Sequence, residues 1–294
     1  MQVVVYSTLL KPKDIPIVQE LFDSLHDAGV NVYVFSPYLE ELENIIIFKK
    51  DVARFDNYLD FKAHKIDFII TLGGDGTILN ALTLVRDTET PILGINLGRL
   101  GFLASIEKKR IRETIEALKT GQYTTEERSL LQLESNFPVF GETPFALNDC
   151  TLLKRDTSSM ITIHAFINGA FLNSYWADGI IIATPTGSTG YSLSCGGPII
   201  FPNSSNFVIT PVAPHNLNVR PVVIPDTAVI SFEIEGRSDN FLCTLDSRFE
   251  TVTVEHRLAV RRCDFSMRLV QLYDLNFLGT IREKLTWGKD VRNY

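Results

Sequence analysis

Apolar and polar positions follow two different periods along this 294-residue chain, and the change of period divides it. In the first part, the short β-branched or aromatic runs at 3–6, 30–35, 66–71 and 91–95 read as buried strands. Between the first two, residues 14–28 place Ile17, Val18, Leu21, Phe22 and Leu25 on one helical face, and Gly29 stands where such a helix ends. Residues 77–85 and 108–119 repeat the helical period, the latter closed by Gly121. Strands alternating with helices predict a parallel sheet covered on both faces. After Tyr123 the pattern becomes one of short strand-like runs, at 130–135, 160–167, 179–184, 228–235, 241–247, 257–263 and 267–273, set apart by turn residues. That predicts an all-β, sandwich-like domain. From Phe277 the pattern is helical and charged again. The expected division is residues 1–123, residues 124–274, and a helical tail at 275–294 packing back on the first domain.

Composition narrows the function. Apolar residues make up 45% and charged residues 21% of the chain, an ordinary globular balance. Against 28 Lys and Arg stand 35 Asp and Glu, so the net charge of −7 argues against a nucleic-acid partner held through its phosphates. It leaves room for one small anion at a helix N-terminus. Residues 156–235 carry only six charges in eighty positions, which fits a largely buried surface and an oligomer interface. Cys150, Cys195, Cys243 and Cys263 show no C-x-x-C spacing and read as buried free thiols in a reducing compartment. No apolar run approaches the roughly 18 residues of a membrane span. The N-terminal run is too briefly apolar for a signal peptide, so the expectation is a soluble cytoplasmic protein with no membrane partner. His26, His64, His164, His215 and His256 have no metal-ligand spacing.

Three motifs carry chemistry. Gly73-Gly74-Asp75-Gly76-Thr77 lies between a buried strand and a helical pattern, at the end of a parallel strand where open α/β sheets bind ligands. Its glycines would let backbone N–H groups approach a phosphate, and the helix N-terminus adds positive potential. The loop has neither a Gly-Lys-Ser/Thr ending nor a G-x-G-x-x-G spacing. An aspartate in such a cradle suits holding a metal ion or accepting a proton from an attacking hydroxyl; the plain alternative is a simple turn. The second motif, residues 184–194, has seven hydroxyl side chains interleaved with glycine, suited to ribose, amide and base edges or simply to a polar loop. Asn148-Asp149 ends an apolar run and alone reads as a turn or helix cap.

Taken together and in order, these motifs resemble the NAD kinase family (ATP-NAD kinases) of bacterial type. The resemblance rests on GGDGT at 73–77, GINLGRLGFL at 94–103, Asn148-Asp149, DGIIIATPTGSTGYSLSCGGP at 178–198, PHNLNVRP at 214–221, and Asp246-Ser247. GGDGT alone is unspecific, since diacylglycerol and sphingosine kinases share it and phosphofructokinases carry a related block; the 178–198 stretch is the specific part. The resemblance implies a transferase that moves the γ-phosphate of ATP, with a divalent cation such as Mg²⁺, to the 2′-hydroxyl of the adenosine ribose of NAD, making NADP. It implies an α/β N-terminal domain of Rossmann- or flavodoxin-like type, an all-β sandwich-like C-terminal domain, an active site between them, and a homodimer or homotetramer. Carried over by position, Asp75 is the catalytic base and Gly73, Gly74, Gly76 and Thr77 form the phosphate loop. The NAD-binding set is Asp75, Gly76, Asn148, Asp149, Asp178, Thr189, Gly190, Tyr191, Ser192, Leu193, Ser194 and Ala213, with Trp176, Asp246 and Arg248 as further contacts. No metal position is fixed by protein ligands; the cation comes with ATP, with Asp75 as the one candidate.

The sequence departs from the family pattern at Trp176, where many members have Lys or Arg, and at Arg248, where relatives often have Gln. A cation moved from the first place to the second would account for both. Lys154, Arg155 and Arg99 are candidates for phosphate contacts, with plain solvated charges as the alternative. Three rival functions are a non-catalytic NAD/NADP-binding regulator, a lipid kinase sharing GGDGT, and a phosphofructokinase-type sugar kinase, for which more basic residues would be expected.

Overall fold

The computed structural model describes residues 1–155, 159–236, 239–273 and 276–287. The chain forms two compact units, Met1–Glu127 with the segment from Met267 onward, and Arg128–Ser266. The expected boundary at 274–275 and the end of the tail from 288 lie outside the described residues.

The first unit alternates β1 (Gln2–Tyr6), α1 (Ile15–Asp27), β2 (Asn31–Phe35), α2 (Ser36–Leu42), β3 (Ala53–Phe55), α3 (Tyr58–Ala63), β4 (Phe68–Leu72), α4 (Asp75–Val85), β5 (Ile92–Asn96), β6 (Ile106–Glu107) and α5 (Ile111–Thr120). The strands pair in parallel in the order β5-β4-β1-β2-β3, so the loops after β1, β4 and β5 leave from one edge. Val3, Val5, Ile70, Leu93 and Ile95 share a core with Val18, Leu21, Phe22 and Leu25 of α1, the face anticipated from the sequence. Gly29 (φ +74°) and Gly121 (φ +73°) take the left-handed conformation at the helix ends they terminate.

Three boundaries differ from expectation. The strand expected at 66–71 runs from Phe68 to Leu72. Its helix begins at Asp75, so Asp75 and Gly76 belong to the first helical turn instead of a loop. An acidic residue there is favoured by the exposed N–H groups of the helix start. The separate strands expected at 257–263 and 267–273 are one strand, because residues 264–266 stay extended. Helices α2 and α3 were not marked by the sequence pattern; each is under two full turns, and α3 depends on a capping box between Asn57 and Asp60.

β7 (Thr124–Ser135) leads into the second unit, followed by β8 (Phe145–Ala146), β9 (Asp149–Lys154), β10 (Ile161–Ile167), β11 (Ala170–Ala177), β12 (Gly179–Ala183), α6 (Tyr191–Ser194), β13 (Asn206–Val212), β14 (Val222–Pro225), β15 (Ile230–Glu235), β16 (Asn240–Leu245), β17 (Arg248–Thr253) and β18 (Leu258–Gln271). Two antiparallel sheets, β11-β10-β15-β18 and β14-β13-β12-β9-β16-β17, enclose one core. Ile163, Tyr175 and Phe232 face Leu152, Phe207 and Phe241 across it. β12 is buried on both faces. Ile180 and Ile182 enter that core while Ile181 and Ala183 enter a second cluster with Val208 and Ile200. This double burial is why its sequence is an unbroken apolar run. The last described helix is α7 (Phe277–Lys284), capped by the Asn276 side chain on the Gly279 N–H (2.8 Å). Cys150, Cys243 and Cys263 are buried free thiols, but Cys195 is only half-buried, against expectation.

Candidate active site

In the first unit, β4 delivers the chain to Gly73, whose N–H bonds the Ile95 carbonyl (3.0 Å). Gly74 is the extended N-cap of α4, and Asp75 is its first residue. The Asp75 carboxylate is held entirely by main chain. Oδ2 accepts from Phe102 N–H (2.9 Å), and Oδ1 accepts from Leu103 (3.1 Å) and Ala104 (2.9 Å). A carboxylate offers about four acceptor positions, so one remains, on Oδ2. Gly101 makes this seat possible, because a Cβ there would lie 1.8 Å from Asp75 Oδ1. Asn96 shapes the same loop, donating to the Arg99 (2.6 Å) and Ala104 (3.3 Å) carbonyls and accepting from Gly98 (2.6 Å).

Beside this seat lies a cleft of about 290 Å³ whose walls include Lys11, Lys13, Asp14, Gly73, Gly74 and Arg99, with Thr77 also facing it. Of the basic residues singled out from the sequence, Arg99 is at this cleft. Lys11 and Lys13 were missed. Their signal was position: the sheet order puts the end of β1 next to the end of β4, and sequence alone does not give that order.

In the second unit, Asn148 and Asp149 do not form an isolated turn. Asp149 opens β9 and is buried. The hairpin residue Asp246, with positive φ (+54°), spends its carboxylate on the backbone of the same segment. Its oxygens accept from Leu147 (3.0 Å), Asn148 (2.7 Å) and Asp149 (3.4 Å). The Asp246 N–H in turn bonds the Asp149 carbonyl (3.0 Å). Burial, and secondarily the Asp246 charge, raise the Asp149 carboxyl to about 7. Burial also pushes Asp246 up, against the pull of those N–H bonds and of Arg248.

The hydroxyl-rich stretch is not a polar surface loop, nor are its hydroxyls all open to a ligand. Thr184, Ser188 and Ser192 are fully buried and hold the loop together. Thr184 donates to the Leu147 carbonyl. Ser188 donates to Pro185 (2.6 Å) and accepts from Ile200 (2.9 Å), and Ser192 pairs with Thr210 (2.8 Å). Gly187 packs on the Asn148 carbonyl so closely that a Cβ would come within 2.0 Å of it. The surface left to a ligand is Thr189, Gly190, Tyr191, Leu193 and Ser194.

Asp178 stands apart from Asn148-Asp149. Asp149 pairs with the Ala183 end of β12, whereas Asp178 precedes its Gly179 end. Five residue steps of strand separate them, on the order of 16 Å. The Tyr191 phenol is raised first by burial and then by Cys195, with Asp178 and Asp149 also contributing. Lys154 is no free surface charge, since its Nζ lies 2.6 Å from Asp178 Oδ1. Trp176 is exposed and packs at a tilt of 42° against His215 (centroids 4.2 Å apart), and Ala213, with φ +44°, is exposed nearby in sequence. The Arg248 guanidinium does not replace a ligand-facing cation at 176. It donates to the Thr143 carbonyl (2.6 Å), the Thr143 hydroxyl (2.8 Å) and the Phe145 carbonyl.

Two family profiles match the chain: the ATP-NAD kinase N-terminal domain over residues 4–123 and the ATP-NAD kinase C-terminal domain over residues 147–272. The chain belongs to the NAD kinase family. It is 46% identical over 284 residues to the NAD kinase of Cytophaga hutchinsonii, covering 96% of this chain and 97% of that one. It is 47% identical over 272 residues to the NAD kinase of Bacteroides fragilis, covering 92% and 93% respectively. The crystal structure of yeast NADH kinase complexed with NADH superposes with a TM-score of 0.89 at 25% identity, over 100% of this chain and 89% of that one. An NAD kinase from Archaeoglobus fulgidus, in complex with ATP, shares the fold with a TM-score of 0.74 at 24% identity, over 97% of this chain and 99% of that one.

Proposed function

We propose that this NAD kinase family member transfers the γ-phosphate of ATP to the 2′-hydroxyl of the adenosine ribose of NAD, producing NADP. The observation that carries the reading is Asp75. It sits at the start of α4, at the carboxyl end of a parallel strand, with its carboxylate fixed by three amides and one acceptor position left on Oδ2. That position accepts the proton of the attacking hydroxyl. Fixing the carboxylate by main chain spares its reorganisation in the transition state.

The triphosphate occupies the adjoining cleft, where Lys11, Lys13 and Arg99 supply positive charge and Gly73–Gly74 let the backbone come close. NAD lies against Asn148, Asp149, Thr189, Gly190, Tyr191, Leu193, Ser194, Asp178 and Ala213, with Ser192 holding that loop through Thr210. Asp246 acts by holding the backbone of 147–149, and Trp176 offers an aromatic face in place of a cation. A divalent cation such as Mg²⁺, bound with ATP, would neutralise charge on the transferring phosphate. A homodimer or homotetramer in the cytoplasm belongs to the same reading. It is supported by the charge-poor stretch 156–235 and by exposed Phe171 and Leu217. Among the described residues, no helix is long and apolar enough to cross a membrane.

The test is NADP formation from NAD, ATP and Mg²⁺, read with an NADP-specific dehydrogenase. Asp75→Asn should lower kcat by roughly 10²–10⁴ while NAD still binds. Near-wild-type kcat in that variant removes Asp75 as the base. NAD binding without NADP formation by the wild type favours the regulator.

A further inference from the structure

Asp14 is the N-cap of α1, yet it does not cap. An aspartate at that position normally accepts the N–H of the second or third helical residue. Here the second helical residue is Pro16, which has no N–H, and no side-chain cap bond forms. Asp14 is instead 2% exposed, and its Oδ1 is sealed without a hydrogen-bond partner. Buried carboxylates are ordinarily paired or bound to a metal. The buried Tyr38 hydroxyl has its proton held more tightly by burial and then by the charges of Glu41 and Asp14, against a hydrogen bond with Ser7. Asp14 also forms part of the wall of the cleft that holds Gly73, Gly74, Lys11 and Lys13.

The obvious alternative for a metal, Asp75, is already engaged by three amides. Among the described residues there is no cluster of three His, Cys, Asp or Glu side chains that could hold a metal by themselves. Mg²⁺ on a nucleotide needs no such cluster, because phosphate oxygens and waters supply most of its ligands and one or two carboxylates complete it. We infer that Asp14 is the carboxylate through which this chain holds the divalent cation travelling with the triphosphate. The inference rests on the placement of the triphosphate in this cleft.

The experiment uses the full chain, MnCl₂ and the non-hydrolysable ATP analogue AMP-PNP. Nucleotide affinity is measured by calorimetry in EDTA and in Mn²⁺, and bound Mn²⁺ is counted by electron paramagnetic resonance. Asp14→Asn, which keeps the shape and removes only the charge, is the main variant; Asp14→Ser, which removes the carboxyl group altogether, is the second. In the wild type, Mn²⁺ should tighten AMP-PNP binding about 10-fold or more. In both variants that gain should fall below about 2-fold, metal-free binding should stay within about 3-fold, and Mn²⁺ should be held in the complex no more tightly than by free AMP-PNP. A gain that survives in a folded variant overturns the assignment, as does a wild type that binds AMP-PNP with no gain. A wild type that does not bind AMP-PNP at all removes the cleft as the triphosphate site, and the assignment with it. The NADP assay then judges the kinase reading separately.

Discussion

Replacing Asp149 by Asn should stabilise the protein, and by an amount that grows with pH. Asp149 is 7% exposed, and its carboxyl is raised from 3.8 to about 7 by burial and by Asp246. The folded chain therefore binds more protons than the unfolded chain between about pH 4 and pH 7, and stability falls as pH climbs through that window. Below it, both states are protonated and the effect vanishes. Above it, the shift of about three units, at roughly 1.4 kcal/mol each, amounts to about 4 kcal/mol of destabilisation. Asparagine fills the same space and carries no charge at any pH. The assay is urea unfolding of wild type and Asp149→Asn at about pH 4.5, 6, 7.5 and 8.5 and constant ionic strength. The difference in unfolding free energy should be about 1 kcal/mol at pH 4.5 and rise to about 4 kcal/mol in favour of the variant at the alkaline end. Subtracting the two proteins cancels the titration of every group they share. A difference that stays flat across the range refutes the reasoning, and so does a wild type that is the more stable at pH 8.5.

Gly101→Ala should leave the fold intact and lower kcat about 10- to 100-fold, because the new Cβ displaces the Asp75 carboxylate from its amides; steady-state kinetics with circular dichroism checks this. Arg248→Met should cost about 2–3 kcal/mol in denaturant unfolding, since the Thr143 and Phe145 carbonyls lose their donors, and Arg248→Lys should recover little of it. Asp246→Asn should raise KM for NAD roughly 10-fold with a smaller change in kcat, as the Asn148–Asp149 backbone loses its charged acceptor; the split between the two constants is the readout.

The alternation of Val3–Val5 and Ile69–Ile70 with the α1 face was legible because those residues serve one buried face each, and burial writes a period into the sequence. Edge strands carry no such signal. β11, with Phe171 and Trp176 exposed, has no regular alternation of apolar and polar residues, and its sequence pattern did not mark it as a strand. At the site, GGDGT and Asn148-Asp149 were legible as motifs, but their partners were not. Asp75 is held by residues 27 to 29 positions away and Asp149 is clamped from 97 positions away, separations that no local pattern encodes. The engagement of the Ser192 hydroxyl with Thr210 was not legible for the same reason: only the sheet brings the two near. Asp14 gave the weakest signal, since a lone aspartate before a helix looks like a cap until the cap bond is found missing.

The seat of Asp75 is made of amides alone, and that has a consequence for mutational tolerance. Phe102, Leu103 and Ala104 contribute N–H groups to the carboxylate, so their side chains can be exchanged without removing one of its bonds. Conventional scanning by alanine would therefore pass over the loop as neutral to the base and register only what its side chains do. Proline, or an ester in place of the amide, deletes a single donor and leaves the carboxylate itself untouched. A series of such backbone edits at 102, 103 and 104 would grade the hold on the base one donor at a time, a control over the reacting group that substitution of Asp75 itself cannot offer.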